Sequence, residues 1–449
     1  MSTLIQSIGR TALVCAIGAS MVLAMPAAAQ QGKKPSKAPA AATKKAPATK
    51  APAAAKAEQP TGEPLQIELS HQLPPSRVKA LQELVDRFNA QSTNSQVALV
   101  ESSWQAAKTP HMMILGGADE EAFLMGKQPR YKPLFALMKE AKVTMPVVKP
   151  AAMMTRKPVN ANGQLLALPV GLSTPVLYFN RAHFKRAGLN TEAPSVATWA
   201  SLQTTLGKLA AGGSHCPVTL VEPARVLIEN VSAWDNIPVY KGKQAIFNGL
   251  FHVKYVSLMA SWNRANLMKV YRDRAEGEER FAKGECSIFI GPSDSWAYFH
   301  QRAGLDVGVT RLPYIDDAPG APQNTLASGS SLWIAASNKA AENRAVANFI
   351  SFWLQPENQI HWQRDAGYLP LSRAGIFASE TTLLGDSLEN IKVAIGQLTN
   401  KPVTANSAIQ AALERESARR IIEEELDQVW AGRKSAKAAL DDAVARLSR

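Results

Sequence analysis

The sequence predicts a two-lobed α/β protein set behind a short apolar leader and a basic spacer. Strand-like and helix-like patterns alternate from residue 65 onward, which is the order of a layered α/β body. Most of the 449 residues follow the spacer, more than the roughly 250–300 that one hydrophobic core usually serves. The spacer from Gln31 to Pro60, by contrast, lacks the aliphatic and aromatic side chains a core needs.

At the start of the chain Arg10 supplies positive charge, Thr11 to Ala24 are almost wholly apolar, and Pro26-Ala27-Ala28-Ala29 offers small residues for cleavage before Gln30. The apolar stretch is shorter than the roughly 20 residues that span a bilayer, so residues 1–29 are expected to be a cleaved signal peptide and the mature protein to be periplasmic. Lipid attachment at Cys15 is not expected, because bulky Val14 precedes it inside the apolar run. Residues 30–62 are dominated by Ala, Pro, Lys and Thr, a composition that predicts a disordered, extended linker. Its seven lysines against one glutamate, with Arg10, carry more than half of the formal net charge of +13. The folded part is only modestly basic, and no nucleic-acid partner is expected.

Within the body, Leu65 to Leu69 alternates as a strand does. Pro75-Ser76 then opens a helix whose apolar face is Val78, Leu81, Leu84, Val85 and Phe88, and Gln96 to Val100 is the next strand, giving a parallel strand-helix-strand start. Pro175 to Phe179 is a short buried strand leading to a helix over Ala182 to Ala187 that Gly188 ends. A helix from Thr198 puts Leu202, Leu206 and Leu209 on one face and stops at Gly212-Gly213. Another closes at Phe281 to Gly284, before a strand at Cys286 to Ile290. Ala340 to Trp353 and Glu357 to Arg364 are helical about Pro356, and the C-terminal part is helix from Ser407 to Trp430 and again from Ser435. Cys216 and Cys286 either pair, as an oxidising compartment permits, or stay as two buried thiols.

Five blocks carry a more specific message: Ser173-Thr-Pro-Val-Leu-Tyr-Phe-Asn180, Ala321-Pro-Gln-Asn324 running on to Gly329-Ser-Ser-Leu-Trp333, Gln355-Pro-Glu-Asn358, Gly367-Tyr-Leu-Pro370, and Glu423 to Trp430 with the helix after it. In this order and spacing the chain, from about Leu65 to its end, resembles the extracellular solute-binding proteins, the family that includes the maltose binder, and within it the glycerol-3-phosphate binders. The resemblance implies a maltose-binder-like type II fold with hinge crossovers and a ligand cleft. Lobe I is then expected from 63–172 plus about 319–366, and lobe II from 173–318 plus about 367–449. It further implies a monomeric receptor that closes on a small phosphorylated polyol, glycerol 3-phosphate or a glycerophosphodiester, and delivers it to transmembrane permease subunits driven by a cytoplasmic ATPase. No enzyme activity, metal or cofactor is implied.

The same resemblance assigns the ligand contacts. Arg419 would clasp the phosphate, whose removal from water has to be offset by charge-assisted hydrogen bonds, with neighbouring Arg420 as the rival. Tyr368 would donate its hydroxyl, Gly329 its backbone N–H, and Ser173 its hydroxyl. The chain also departs from the family. Glu222 and Arg225 stand where a tryptophan pair packs on the ligand, so Arg225 becomes a candidate contact. Pro292 replaces a binding serine, leaving adjacent Ser293 as a substitute. The first-lobe contacts of the family fall in a stretch that this chain shortens, between about Ser102 and Pro110, with no clear counterpart; Trp104 and, further on, the Asp119-Glu120-Glu121 run are the only candidates, the latter read as a helix face.

Two other readings are consistent with the residues. A secreted phosphodiesterase would need a metal cluster or an activated nucleophile. The sequence has no HExxH, GxSxG or phosphate loop, and His71, His111, His183, His215, His252, His300 and His361 are scattered. A degenerate relative with a changed ligand, acting as a sensor or envelope protein, is compatible with the departures just described.

Overall fold

A computed structural model of the chain describes residues 63–125, 129–144, 158–406 and 415–448. The expected signal peptide and linker, and the start of the last helical region at Ser407, lie outside the described residues. Twelve strands occur among them: β1 Leu65–His71, β2 Ser95–Val100, β3 Met112–Leu115, β4 Leu168–Pro169, β5 Pro175–Asn180, β6 Val218–Val221, β7 Tyr240–Lys241, β8 Gln244–Ala245, β9 Met268–Tyr271, β10 Ile288–Pro292, β11 Val307–Thr310 and β12 Ser331–Ile334. Ten of them form two five-stranded sheets, in the orders β2-β1-β3-β12-β4 and β11-β5-β10-β6-β9; β7 and β8 make a separate two-stranded ribbon.

The opening unit forms as its pattern predicts. Ile67 and Leu69 of β1 are fully buried, and Pro75, with its preset φ, starts the helix Pro75–Gln91. β1 then pairs in parallel with β2, Leu65 opposite Ser95. One position on this helix differs: Val78 is only half-buried, and the residue turned fully inward is Arg77. A guanidinium is tolerated there because acidic groups from the second sheet meet it.

The sheets are mixed rather than parallel. β3 and β1 are parallel, as are β6 with β9 and β10, but β12 runs antiparallel to β3 and β4, and β5 runs antiparallel to β10 and β11. The cause is the path of the chain. After β4 it leaves the first sheet for β5 of the second, and it returns through 328–330 to enter the first sheet from the opposite direction as β12. Outgoing and returning segments bond to each other: Ser173 and Ser328 exchange N–H···O bonds of 3.0 and 2.9 Å, and Gly171 N–H donates to Ser330 O at 2.9 Å. Gly329 is tied to this crossing, since a Cβ there would lie 1.7 Å from Gly171 O.

Both sheets are covered on two faces, which is why β3, β5 and β12 read as unbroken apolar or small-residue runs rather than alternating ones. Helices Ala340–Trp353 and Pro356–Ala366 seal one face of the first sheet with Phe349, Trp353 and Trp362. On the second sheet, Trp199, Trp234, Trp262 and Leu426 fill one side, and Tyr178, Phe289, Trp296 and Phe299 the other. After Gly367, a left-handed helix cap at φ 79°, Tyr368 stacks on Trp362 and Leu371 joins the first core. Leu369 joins the core of the second sheet, helix Arg373–Thr382 lies on Pro356–Ala366, and Gly385–Leu398 packs on the second sheet again.

The strand expected at Cys286 begins two residues on, at Ile288, and Cys286 is instead joined to Cys216 in a disulfide with Cα atoms 4.5 Å apart. Among the described residues no helix is long and apolar enough to cross a membrane.

Candidate functional site

Loops at the carboxyl ends of β1, β3, β6, β9 and β10 converge on one cleft of about 720 Å³, and the crossing segments 171–173 and 328–330 form its back. This is where open α/β sheets place ligands, because helix starts and unpaired amides gather at those strand ends. Helix Glu416–Trp430 closes one side. Ser173, Arg225, Gly329, Tyr368 and Arg419, distant in sequence, all line this cleft.

Ser173 is pinned by the crossing. Its hydroxyl and carbonyl oxygens both accept from Arg225 Nη2, at 3.3 and 3.4 Å. Among the described residues the Gly329 amide donates no backbone–backbone hydrogen bond. Tyr368 is almost fully buried; burial and the charge of Asp294 push its phenol well above the usual value, so it keeps its proton and can act as a donor.

Arg419 departs from a free anion clasp. Its Nε lies 2.5 Å and its Nη2 3.2 Å from the two carboxylate oxygens of buried Glu229, and Nη1 is 3.5 Å from Glu416. Burial opposes its charge, but Glu229 outweighs burial and holds the guanidinium protonated. Arg420 also reaches the cleft lining, but its side chain is 73% exposed and only loosely paired with Glu424 at 3.9 Å.

Ser293 does not line the cleft. It is fully buried beneath it, and its hydroxyl accepts from the Thr174 amide at 3.3 Å. The neighbouring Asp294 takes its place. Burial works against the Asp294 charge, yet Arg274 at 2.6 Å and Arg77 at 3.2 Å hold its carboxyl down at about 2. Its Oδ1 is buried with no partner among the described residues. Trp104 is not at the cleft either; it packs edge-on against Phe123 and under the Arg130 guanidinium. Of the acidic run, Asp119 accepts from Gln72, Glu120 turns inward to accept from Trp333 Nε1 at 2.8 Å, and Glu121 accepts from the Glu416 amide at 2.9 Å. Glu120 and Glu121 therefore belong to the cleft wall rather than to a solvated helix face.

Arg272, Arg274, Asp294, Glu416 and Glu423 also line the cleft; Glu423 opens the last of the five blocks, and no sequence motif marks the other four. Glu423 accepts from the Ala224 amide at 3.3 Å, and burial, with the Glu222 charge, pushes its carboxyl up to about 7. Arginines and carboxylates thus interleave around the cavity. Such a lining suits a ligand with a localised charge and hydrogen-bonding groups, and it offers little to a purely apolar one. Among the described residues no group of three or more His, Cys, Asp or Glu side chains is arranged to hold a metal ion.

A two-lobed α/β body with a polar cleft at its strand ends and paired crossing segments defines a solute-binding protein. Residues 83–382 match the family model for bacterial extracellular solute-binding proteins, and the chain belongs to that family. It is 30% identical over 384 residues to a sn-glycerol-3-phosphate-binding periplasmic protein, UgpB, of Yersinia enterocolitica, covering 81% of this chain and 87% of that one. It is 29% identical over 389 residues to the UgpB protein of Pectobacterium atrosepticum, covering 82% and 87%. Among solved structures, UgpB from Mycobacterium tuberculosis in complex with glycerophosphocholine superposes with a TM-score of 0.68 at 18% identity, over 86% of this chain and 98% of that one. The cyclic alpha-maltosyl-1,6-maltose binding protein of Arthrobacter globiformis gives 0.63 at 17% identity, over 86% and 98%. These likenesses establish the two-lobed, maltose-binder-like fold.

Proposed function

We propose that the chain is the periplasmic receptor of an ABC importer and that its cargo is a phosphate ester of glycerol, either sn-glycerol 3-phosphate or a glycerophosphodiester. The observation that carries the reading is the convergence of Ser173, Gly329, Tyr368 and Arg419 on one cleft. A guanidinium, a protonated phenol, a hydroxyl and a backbone amide are donors complementary to a phosphate ester, whose anionic oxygens are acceptors. The relatives named for sn-glycerol 3-phosphate support the same cargo. Lobes 63–172 with about 319–366, and 173–318 with about 367–449, would close about the crossing segments, and the closed form would dock on the permease.

Thermal shift tests the cargo. A ligand that binds only the native state stabilises it by about 2.7 kcal/mol at a hundredfold excess over Kd. We expect sn-glycerol 3-phosphate and glycerophosphocholine to raise Tm and maltose to leave it unchanged; a response to maltose alone overturns the assignment. A deletion strain should lose growth on low concentrations of the same phosphate ester as sole phosphorus source.

A further inference from the structure

The cleft already contains an anion of its own. Glu222 follows β6 and lines the cavity with its side chain 30% exposed. Its Oε2 lies 3.3 Å from Arg225 Nη1, and Arg274 and Arg419, which line the same cleft, also feel its charge. The backbone is forced at this point. Glu222 sits at φ 50°, the left-handed region, although it is not glycine and precedes Pro223, which favours extended conformations. Strain of this kind persists where the surroundings impose it, often at ligand clamps. A π-helical turn over Ala224–Asn230 follows directly and carries both Arg225 and Glu229, the partner of Arg419.

Arg225 is incompletely satisfied by these contacts. Its Nε is buried without a partner among the described residues, and its bonds to Ser173 and Glu222 are all 3.3–3.4 Å, long for charge-assisted pairs. A tetrahedral phosphate offers more acceptor oxygens than a carboxylate held by one long contact.

We propose, building on the phosphate-ester reading, that the Glu222 carboxylate is an internal stand-in for the cargo anion, and that a bound phosphate displaces it to take Arg225 as its second guanidinium beside Arg419. Glu222 then acts as a competitor that weakens the grip on every anion. It discriminates by acceptor geometry, because a tetrahedral phosphate can displace it where a planar carboxylate ligand cannot. A role in holding a cationic head group is the opposing account. The surroundings argue against it, since a cation approaching Glu222 would also meet Arg225, Arg274 and Arg419.

Isothermal titration of the full chain with sn-glycerol 3-phosphate, glycerophosphocholine and inorganic phosphate tests this, with Glu222→Gln and Glu222→Gly beside the native protein. We expect Glu222→Gln to bind all three probes about tenfold more tightly, the loss of one charge–charge repulsion in a partly screened cleft. Glu222→Gly should bind them more tightly as well and melt at a higher temperature, since glycine relieves the left-handed conformation. Unchanged or weaker binding of sn-glycerol 3-phosphate by Glu222→Gln, with native binding intact, overturns this proposal and leaves the cargo assignment standing. Weaker binding of glycerophosphocholine alone makes Glu222 a cation contact and overturns it too. If no variant binds any of the three, both readings fall together.

Discussion

Arg77 and Asp294 meet face to face between the two sheets, Arg77 Nη2 standing 3.2 Å from Asp294 Oδ2 and 2.5 Å from the Asp294 carbonyl oxygen, with both residues completely buried. Arg77 belongs to the helix that follows β1 and Asp294 to the turn after β10, so the pair ties the first sheet's layer to the second directly beneath the cleft. Arg274 and Glu278 complete the cluster. Removing one partner leaves a buried charge uncompensated, at a cost of about 3–5 kcal/mol. Arg77→Met should therefore lower the urea midpoint sharply. Arg77→Met with Asp294→Asn should recover part of the loss, and an additive double mutant would show that the two side chains are not coupled.

Buried carboxyls make the protein less stable in mild alkali. Burial pushes Asp235 up to about 8, and its Oδ2 has no partner among the described residues; Glu423 is pushed up to about 7. A carboxyl raised on folding binds more protons in the native than in the unfolded state, so stability falls as pH rises between its unfolded and folded values. His252, which burial lowers to about 4, works the other way, but only below about 6.5. Between pH 6.5 and 8 the carboxyls act without that opposition, and Tm should fall. Asp235→Asn should flatten the slope above pH 7 and raise Tm at pH 8.5; a slope unchanged in that variant excludes Asp235 as its source.

How much of this was legible in the sequence depended on the range of the interaction. The helix Pro75–Gln91 and strands β1, β2 and β5 are set by local periodicity and a proline start, and they formed where the pattern put them. The two-residue β4 carries too little pattern to see. The reversal that makes β12 antiparallel to β3 depends on a return path more than 200 residues long in sequence, from Leu115 to Ser331. The site divides in the same way. Ser173, Gly329 and Tyr368 were legible because they sit in distinctive blocks, and Arg419 because it lies just ahead of the last one. Arg274 and Asp294 were not, since each is an ordinary charged residue until the strand ends bring it to the cleft. Val78 and Arg77 show the limit of periodicity: hydropathy put valine on the inner face, and a partner 217 positions away reversed the choice.

The Cys216–Cys286 disulfide closes a loop of 70 residues around β6 and the edge strand β9 of the second sheet. Removing a cross-link of that span costs about 2–5 kcal/mol, chiefly by freeing the unfolded chain. Replacing both cysteines by alanine should lower Tm by several degrees while leaving the affinity for a phosphate ester within twofold, because neither cysteine touches the cleft. A large loss of affinity at unchanged stability would instead tie the bridge to the binding site.

The Arg419–Glu229 pair sets apart stability from binding at a guanidinium of the cleft lining. Glu229 is buried on the π-helical turn and accepts two hydrogen bonds from Arg419, so Arg419→Ala strips a buried carboxylate of its counter-charge as well as removing the donor proposed to hold the phosphate. That variant should lose about 3 kcal/mol or more of stability and all measurable phosphate-ester binding. Glu229→Gln keeps the shape and an acceptor for Arg419 while freeing its positive charge. It should lose less stability than Arg419→Ala and bind sn-glycerol 3-phosphate at least as tightly as the native protein. If Glu229→Gln instead abolishes binding while remaining folded, the carboxylate is needed to hold the guanidinium in place, and orientation rather than free charge is what Arg419 contributes to the cleft.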